Sequence, residues 1–218
     1  MLSFCVAVAV GYCVGSVPMA YWLVRWKSSI DIRQAGSGNV GTLNSYLVTG
    51  SAAVGGVVLL LDVLKGAVAV CLVRWLEPGS FPLASVGGVA AVIGHNFPVW
   101  LAFKGGRGLA TSAGVTLVLA WPIIGVWMVL WGAGYLLTRQ VNPANAVASA
   151  LVLVACLVVP DTYMSSIVQG SDPTGWVRLF GVVLMTVVLI RHIQPLKEYV
   201  EELRGRSGPA RPNDGGSS

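Results

Sequence analysis

The amino-acid sequence predicts an all-α polytopic membrane protein with about seven transmembrane helices, its N-terminus outside and its C-terminus in the cytoplasm. The first observation is composition: 55% of the 218 residues are hydrophobic and 11% are charged, with a mean hydropathy of +0.75. The second is that several apolar stretches approach the roughly 20 residues that a helix needs to cross a bilayer core of about 30 Å. The third is that Lys and Arg cluster beside alternate stretches. A water-soluble fold would expose large apolar areas, so a bilayer is the expected solvent.

The apolar stretches define the candidate spans. The first stretch carries no charge until Arg25 and has neither a basic leader nor a clear cleavage site, so we interpret it as a retained helix and not as a signal peptide. Residues 109–137 are too many for one upright crossing and too few for two full ones, and Pro122 divides them. The candidate spans are residues 2–26, 51–75, 82–103, 109–121, 122–137, 144–160 and 176–190.

Loop charge predicts the orientation of these spans. Basic clusters follow the first, third, fifth and seventh spans, beginning at Arg25, Lys104, Arg139 and Arg191. Residues 161–175, between the sixth and seventh spans, contain two aspartates and no cation. Because cytoplasmic loops are rich in Lys and Arg, the basic ends are predicted to be cytoplasmic and the N-terminus to lie outside.

Composition also excludes several classes of site. A net charge of +5 suggests nucleic-acid binding only when the cations gather on a soluble domain, and here they lie beside apolar segments, so no nucleic-acid partner is expected. The four cysteines lie inside apolar segments without paired spacing, which predicts neither a metal site nor disulfides. Residues 1–206 are predicted to form a single membrane domain, and residues 207–218, rich in Gly, Pro and Ser, a disordered cytoplasmic tail.

Asp62 and Lys65 are ionisable residues inside the second candidate span. Ionisable side chains at membrane depth are costly, so they mark functional sites by default. A spacing of three places both residues on one helix face. They form either a structural ion pair or part of a polar cavity that contacts substrate.

Two glycine-rich loops are candidate phosphate sites. The first glycine loop, residues 36–41, reads Gly-Ser-Gly-Asn-Val-Gly, and its glycines allow backbone N–H groups to approach an anion. The second glycine loop, residues 104–108, reads Lys-Gly-Gly-Arg-Gly and places two cations among glycines just before a helix. The alternatives are an ordinary turn for the first loop and charge anchoring of the membrane orientation for the second.

Two histidines complete the set of candidate polar residues. His95 and Asn96 precede the second glycine loop, and Arg191 and His192 end the last span. The alternative roles are helix packing for His95 and interfacial anchoring for Arg191 and His192. No Ser-His-Asp order and no Walker-type phosphate loop is evident, so the residues favour positioning of an anion over covalent catalysis.

Taken together in this order and spacing, the motifs resemble the bacterial PlsY family of acyl-phosphate-dependent glycerol-3-phosphate acyltransferases. The resemblance covers about residues 2–192. The motifs that carry it are Gly15-Ser16-Val17-Pro18, Asp31-Ile32-Arg33, the first glycine loop with Asn44, Asp62 with Lys65-Gly66, and Gly94-His95-Asn96-Phe97-Pro98 through the second glycine loop.

The resemblance implies a seven-helix enzyme of the bacterial cytoplasmic membrane. Its partners would be the lipid bilayer, acyl phosphate and glycerol 3-phosphate, with no cofactor and no metal, and its product lysophosphatidic acid. Lys104, Ser37 and His192 are expected at the reacting groups, with His192 holding glycerol 3-phosphate. The residues expected to contact substrate are Gly38, Asn39, Asn44, Asp62, Lys65, His95, Asn96, Gly105, Gly106, Arg107 and Gly108.

The chain departs from the family pattern at four positions. Leu43 and Leu47 stand where the family has a threonine and an arginine, Asn142 where it commonly has a serine, and Pro195 where it usually has an asparagine. Thr42 and Arg33 are candidates to replace the missing hydroxyl and cation. Two further hypotheses stay open at this point: a non-catalytic membrane paralogue, and a transporter of a phosphorylated solute lined by Asp62 and Lys65.

Overall fold

Helices form the regular structure of the chain. The computed structural model describes residues 1–164, 168 and 174–206, and no strand occurs among them, so the predicted all-α class is confirmed. The predicted disordered tail, residues 207–218, lies outside the described residues. The helices are α1 (Leu2–Gly15), α2 (Met19–Ser28), α3 (Thr42–Thr49), α4 (Ala52–Leu76), α5 (Phe81–Asn96), α6 (Leu109–Leu119), α7 (Trp121–Thr138), α8 (Val141–Val158), α9 (Asp161–Met164), α10 (Thr174–Ile190) and α11 (Ile193–Arg206), with 3-10 turns at Ile32–Gln34 and Val99–Leu101.

The described helices include several that can cross a membrane. Five segments are long and apolar enough: Leu2–Ser28, α4, Phe81–Leu101, α7 and α8. A bent pair, α10 with α11 at 52°, raises the number to six. Helix α6 has 11 residues, about 16 Å, and is too short to span a 30 Å core upright. The multi-pass architecture is therefore confirmed, whereas seven crossings and the orientation stay predictions.

Prolines determine where several helices begin or end. The first predicted span is broken, because α1 ends at Gly15 and α2 begins only after Pro18, which has no N–H to continue the helix. The predicted break at Pro122 is confirmed: α6 ends at Leu119 and Pro122 lies in the first turn of α7. Helix α8 begins three residues before its predicted start, because a first turn tolerates Pro143.

Small residues allow two pairs of helices to pack closely. A Cβ atom at Gly11 would collide with the carbonyl of Gly87, and one at Gly15 with that of Ala91, so α1 lies against α5. Similarly, a Cβ atom at Gly66 would collide with the carbonyl of Thr111, which brings α4 against α6. Small residues drive helix association in lipid by permitting such backbone contact. These contacts bring the polar residues of α4 next to the start of α6.

Two apolar clusters support the polar loops. The larger cluster joins α5, α6, α8 and α10 through buried side chains such as Val115, Phe180 and Leu184. The smaller one lies beneath α2 and includes Ile32 and Val40, which flank or belong to the first glycine loop. Burial of these two side chains fixes the loop on the helix bundle.

Candidate active site

The first glycine loop is built around the side chain of Asn44. Its Oδ1 accepts a hydrogen bond from the backbone N–H of Ser37 at 3.0 Å, and its Nδ2 donates to the carbonyls of Ala35 and Asn39 at 3.0 Å. Gly36 and Gly38 have left-handed backbone angles (φ 58° and 69°), which glycine adopts without strain. Asn44 thus shapes the loop from within, and its predicted contact with substrate stays a prediction.

The second glycine loop is attached to both α5 and the first loop. The N–H of Gly106 donates to the carbonyl of His95 at 3.0 Å, and the N–H of Val40 donates to the carbonyl of Gly105 at 3.4 Å. A Cβ atom at Gly105 would collide with the His95 carbonyl, and one at Gly106 with the His95 ring. The loop can lie this close to α5 only because both residues are glycine. The two loops predicted separately therefore form one structure.

Two cations flank these glycines. Lys104 is exposed, whereas Arg107 is partly buried and its Nη1 donates to Oδ1 of Asn142 at 2.5 Å. Burial lowers the pKa of the Arg107 guanidinium, while Glu198 opposes this shift through its charge. Arginine remains charged despite such a shift. No carboxylate of the described residues lies within salt-bridge distance of Arg107. A partly desolvated cation in this state favours an anionic ligand.

His192 lies just beyond α10 and its side chain is buried. The ring Nδ1 lies 2.8 Å from the carbonyl oxygen of Val188, so Nδ1 carries the proton and donates it. Burial, helped by the positive charges of Arg107 and Arg191, lowers the pKa of His192 to about 4. The neutral ring therefore presents Nε2 as an acceptor, and this atom is buried without a hydrogen-bond partner among the described residues.

Asp62, Lys65 and His95 form a buried cluster between α4 and α5. Lys65 Nζ lies 2.8 Å from Asp62 Oδ1, and His95 Nδ1 lies 3.5 Å from the same oxygen. Lys65 also donates to the carbonyl of Val17 at 3.1 Å, where the chain is broken between α1 and α2. The structure thus brings the predicted pair together with His95, and this geometry matches the structural ion-pair alternative. Direct contact of these residues with substrate stays a prediction.

The start of α6 carries buried polar side chains. Both amide atoms of Asn96 and the hydroxyls of Thr111 and Ser112 have no hydrogen-bond partner among the described residues. A Cβ atom at Gly108 would lie 2.7 Å from Oδ1 of Asn96, so Asn96 lies against the first residue before the helix. Unsatisfied buried polar atoms are rare in native proteins. Of these residues, Ser112 lines an apolar groove beside the loops, where its hydroxyl can meet a polar ligand.

A large apolar groove opens beside the loops. Its volume is about 830 Å³, within the roughly 300–1,000 Å³ typical of ligand pockets. Its polar end includes Asn39, Gly41, Arg107 and Gly108, and Asp62 and His95 of the buried cluster also line it. Its walls come from α3, α4, α6, α7 and α8, with one residue each from α5 and α10. Apolar residues of these walls include Leu43, Leu59, Leu117, Ile124, Trp127 and Met128. The groove therefore joins a cationic, glycine-rich end to an apolar body.

The sequence profile described as Glycerol-3-phosphate acyltransferase matches residues 5–202, nearly the whole chain. The chain belongs to the glycerol-3-phosphate acyltransferase family. It is an integral membrane enzyme of phospholipid biosynthesis, as the resemblance to the PlsY family predicted.

Individual relatives agree with this assignment. The chain is 36% identical to Glycerol-3-phosphate acyltransferase 2 of Thermotoga maritima over 85% of this chain and 89% of the relative. It is 35% identical to the Glycerol-3-phosphate acyltransferase of Mesorhizobium japonicum, over 93% and 95% of the two chains. Its fold is similar to crystal structures of PlsY (YgiH), an integral membrane glycerol 3-phosphate acyltransferase, in the glycerol 3-phosphate form (TM-score 0.74) and the lysophosphatidic acid form (TM-score 0.73). Each match has 27% identity and covers 96% of both chains.

The four residues at which this acyltransferase departs from the family pattern lie in different environments. Asn142 holds Arg107, and Leu43 lines the groove. Leu47 is exposed on α3, and Pro195 is buried in the first turn of α11. Of these positions, Asn142 contributes a polar contact to the candidate site.

The two candidate replacements behave differently. Arg33 donates to Asp31 through Nε at 3.0 Å and Nη2 at 2.6 Å, and its guanidinium lies 5.0 Å from the ring centroid of Tyr21. The same pair holds the pKa of Asp31 down at about 2. Arg33 is thus already neutralised, whereas Thr42 lines the groove and keeps its hydroxyl near the site.

Two features of the site were not predicted from the sequence. The apolar groove is lined by residues of seven helices, so no single segment signals it. Ser112 lines the groove with an unpartnered hydroxyl but belongs to no motif that suggested a ligand. Its position in the first turn after Lys104–Gly108 was the one available signal.

Proposed function

We propose that this enzyme transfers a fatty acyl group from acyl phosphate to the 1-hydroxyl of glycerol 3-phosphate and forms lysophosphatidic acid. The observation that carries the proposal is the junction of the two glycine loops at the polar end of the groove. There Val40 donates to Gly105, and Arg107 lines the same end. The names of the relatives and the two ligand forms of the similar crystal structures support the same reaction.

The phosphate groups of the substrates are proposed to bind around the start of α6. A helix N-terminus presents unpaired N–H groups and a partial positive charge, which stabilise an anion. Lys104 and Arg107 add two full charges beside it, and Ser37, Gly38 and Asn39 approach from the first loop. The buried hydroxyl of Ser112 faces no described partner and is a further donor in the groove.

The acyl chain is proposed to lie in the apolar groove. Removing a methylene from water contributes about 0.8 kcal/mol, so a long chain gains much of its affinity there. Gly55 and Gly56 line the groove on α4, and because they have no side chains they leave room there for the chain. The reactive acyl carbonyl would then lie where the apolar body meets the cationic loops.

The chemical step requires no protein nucleophile. The hydroxyl oxygen of glycerol 3-phosphate attacks the acyl carbonyl, the bond from that carbonyl to the phosphate oxygen breaks, and the hydroxyl proton leaves with the released phosphate. His192 Nε2 accepts a hydrogen bond from the attacking hydroxyl and orients it, because the neutral ring already donates through Nδ1. Lys104 and Arg107 stabilise the charge that develops on the leaving phosphate. Alignment and electrostatic stabilisation supply the rate enhancement.

The location follows from the predicted orientation. The glycine loops and the basic residues beside them would face the cytoplasm of a bacterial cell, where soluble glycerol 3-phosphate reaches them. The acyl chain would enter from the inner membrane through the side of the groove. A cysteine-accessibility assay on Lys104→Cys in intact and opened vesicles tests this orientation.

The reaction is tested with the purified protein in detergent, palmitoyl phosphate and labelled glycerol 3-phosphate. Labelled lysophosphatidic acid should form, and Lys104→Ala should lower the rate by about tenfold to a hundredfold, since a hydrogen bond to a charged group contributes roughly 1.5–3 kcal/mol. Lys27→Ala, at an exposed lysine in the last turn of α2, is the matched control and should keep the rate. No product, with a relative active in parallel, would contradict the proposal and favour a non-catalytic paralogue.

A further inference from the structure

Arg191 contacts the second glycine loop directly. Its Nε donates to the carbonyl of Gly106 at 3.0 Å, and its Nη2 donates to the carbonyl of Gly105 at 3.3 Å. Its guanidinium carbon lies 5.1 Å from the ring centroid of Phe97, which belongs to the turn after α5. One side chain therefore joins the end of α10, the end of α5 and two consecutive peptide groups of the loop.

These two carbonyls lie in an unfavourable place for a phosphate site. A carbonyl oxygen carries partial negative charge and repels an anion, whereas the N–H groups of a glycine loop attract it. The guanidinium satisfies both oxygens and offsets their charge. Because each peptide group is planar, holding its carbonyl also fixes the direction of the N–H on the same unit.

We infer that Arg191 is a positioning residue for the acyltransfer reaction. It fixes the peptide groups between Lys104 and Arg107, and it fixes His192, the next residue in the chain, relative to them. The inference rests on the proposed function, because it assigns Arg191 to the loop that binds phosphate there. It does not place Arg191 in contact with substrate.

The alternative is that Arg191 binds a substrate phosphate itself. Two of its five guanidinium N–H groups already donate to backbone carbonyls, which leaves one N–H of Nη2 and both of Nη1 for a ligand. The kinetics separate the two roles. Loss of a direct ligand raises KM for one phosphate-bearing substrate, whereas loss of a loop anchor lowers kcat/KM for both substrates by similar factors.

Arg178 is the matched control within this chain. It also donates to backbone carbonyls, those of Cys156, Leu157 and Val159, at the end of α8, and it pairs in addition with the carboxylate of Asp161. Twelve residues of α10, 179–190, lie between Arg178 and Arg191, so the two arginines are about 20 Å apart along the helix. Arg178→Ala therefore removes a similar set of hydrogen bonds far from the loops.

The experiment measures kcat and both KM values for Arg191→Ala, Arg191→Lys and Arg178→Ala, per amount of protein that elutes as a single species. Arg191→Ala should lower kcat/KM about tenfold or more for both substrates, and Arg191→Lys should recover little, because an ammonium lacks the planar fork that spans two carbonyls. Added ethylguanidinium should restore part of the activity of Arg191→Ala. Arg178→Ala should keep its kcat/KM and should not respond to ethylguanidinium.

Each outcome bears on a separate claim. Wild-type protein that forms no lysophosphatidic acid contradicts the proposed function. Active wild type with Arg191→Ala within twofold of it, or with a KM change for one substrate alone, overturns the positioning role. If Arg191→Ala does not fold, Arg191→Lys carries the same test, and a Lys variant with full kcat/KM and both KM values unchanged overturns it.

Discussion

The buried cluster and the second glycine loop differ in how their charges are compensated. The cluster consists of Asp62, Lys65 and His95, and the loop contributes Lys104 and Arg107. The first group is buried, and Lys65 Nζ and His95 Nδ1 lie 2.8 Å and 3.5 Å from the same carboxylate oxygen of Asp62. In the second group Lys104 is exposed and Arg107 has a neutral amide, that of Asn142, as its partner. One group is balanced internally, and the other keeps an excess of positive charge beside an open groove.

This difference distinguishes a structural from a ligand-binding use of charge in a membrane protein. A buried ion is tolerated when a partner and hydrogen bonds compensate for its lost hydration. Excess charge is tolerated at the edge of the bundle, where water reaches it and where the proposed anionic substrates would compensate for it. Both groups are visible in the sequence as ionisable residues near apolar segments, but only the second keeps positive charge that no carboxylate of the described residues pairs with.

The largest expected effect comes from breaking the balance of the buried cluster. Lys65→Met leaves Asp62 buried without its nearest cation and should lower the free energy of unfolding by about 3–5 kcal/mol. Thermal denaturation in detergent, followed by circular dichroism, measures the loss. The double variant Asp62→Leu with Lys65→Met should recover most of it, because no buried carboxylate is left unpaired. A stable double variant without acyltransferase activity would instead show that the cluster contacts substrate.

The second effect concerns activity and comes from the unbalanced group. Arg107→Gln should lower kcat/KM about tenfold to a hundredfold with little change in the denaturation midpoint, because its charge is proposed to bind substrate phosphate and pairs with no carboxylate of the described residues. Arg33→Gln is the matched control and should change kcat/KM by less than about fivefold, since a partly exposed ion pair at the surface contributes roughly 0–1 kcal/mol. Equal losses in the two variants would contradict the distinction between a paired and an available arginine.

A third prediction separates the apolar groove from the phosphate site. A Cβ atom at Gly56 meets open space, and Gly56 lines the groove, so Gly56→Leu should fill part of it without disturbing the helix packing. We expect KM for palmitoyl phosphate to rise about tenfold, with KM for glycerol 3-phosphate nearly unchanged. Gly125→Leu has equally open space outside the groove lining and serves as the control. A similar rise in the control would refute a specific role for the groove.

The smallest effect concerns pH. Burial holds the pKa of His192 at about 4, below the ordinary value of 6.5, so the ring stays neutral as pH falls through 6.5 and gains a proton only near pH 4. The ratio of kcat/KM of the wild type to that of His192→Gln, which cancels titration of the substrates, should therefore be constant from pH 8 to about 5.5. A fall in this ratio with a midpoint near 6.5 would show that His192 is more hydrated than its burial indicates.

Local properties of the chain explain which features the sequence predicted. Mean hydropathy indicated the membrane class, Pro122 marked the break between α6 and α7, and glycines beside cations marked the loops. Pro18 carried the same kind of signal, but hydropathy averaged over the first span obscured it. Each of these properties depends on neighbouring residues, so a reading along the chain suffices.

Contacts between distant segments were decided by tertiary structure. Val40 meets Gly105, His95 approaches Asp62, and Arg191 anchors the second glycine loop only because closely packed helices bring them together. The groove likewise exists between helices and not within one. Sequence alone determined that this chain is a membrane protein with cationic, glycine-rich loops, since hydropathy and backbone freedom are local. Packing decided which charges neutralise one another and which remain for a ligand, because that depends on distances across the bundle.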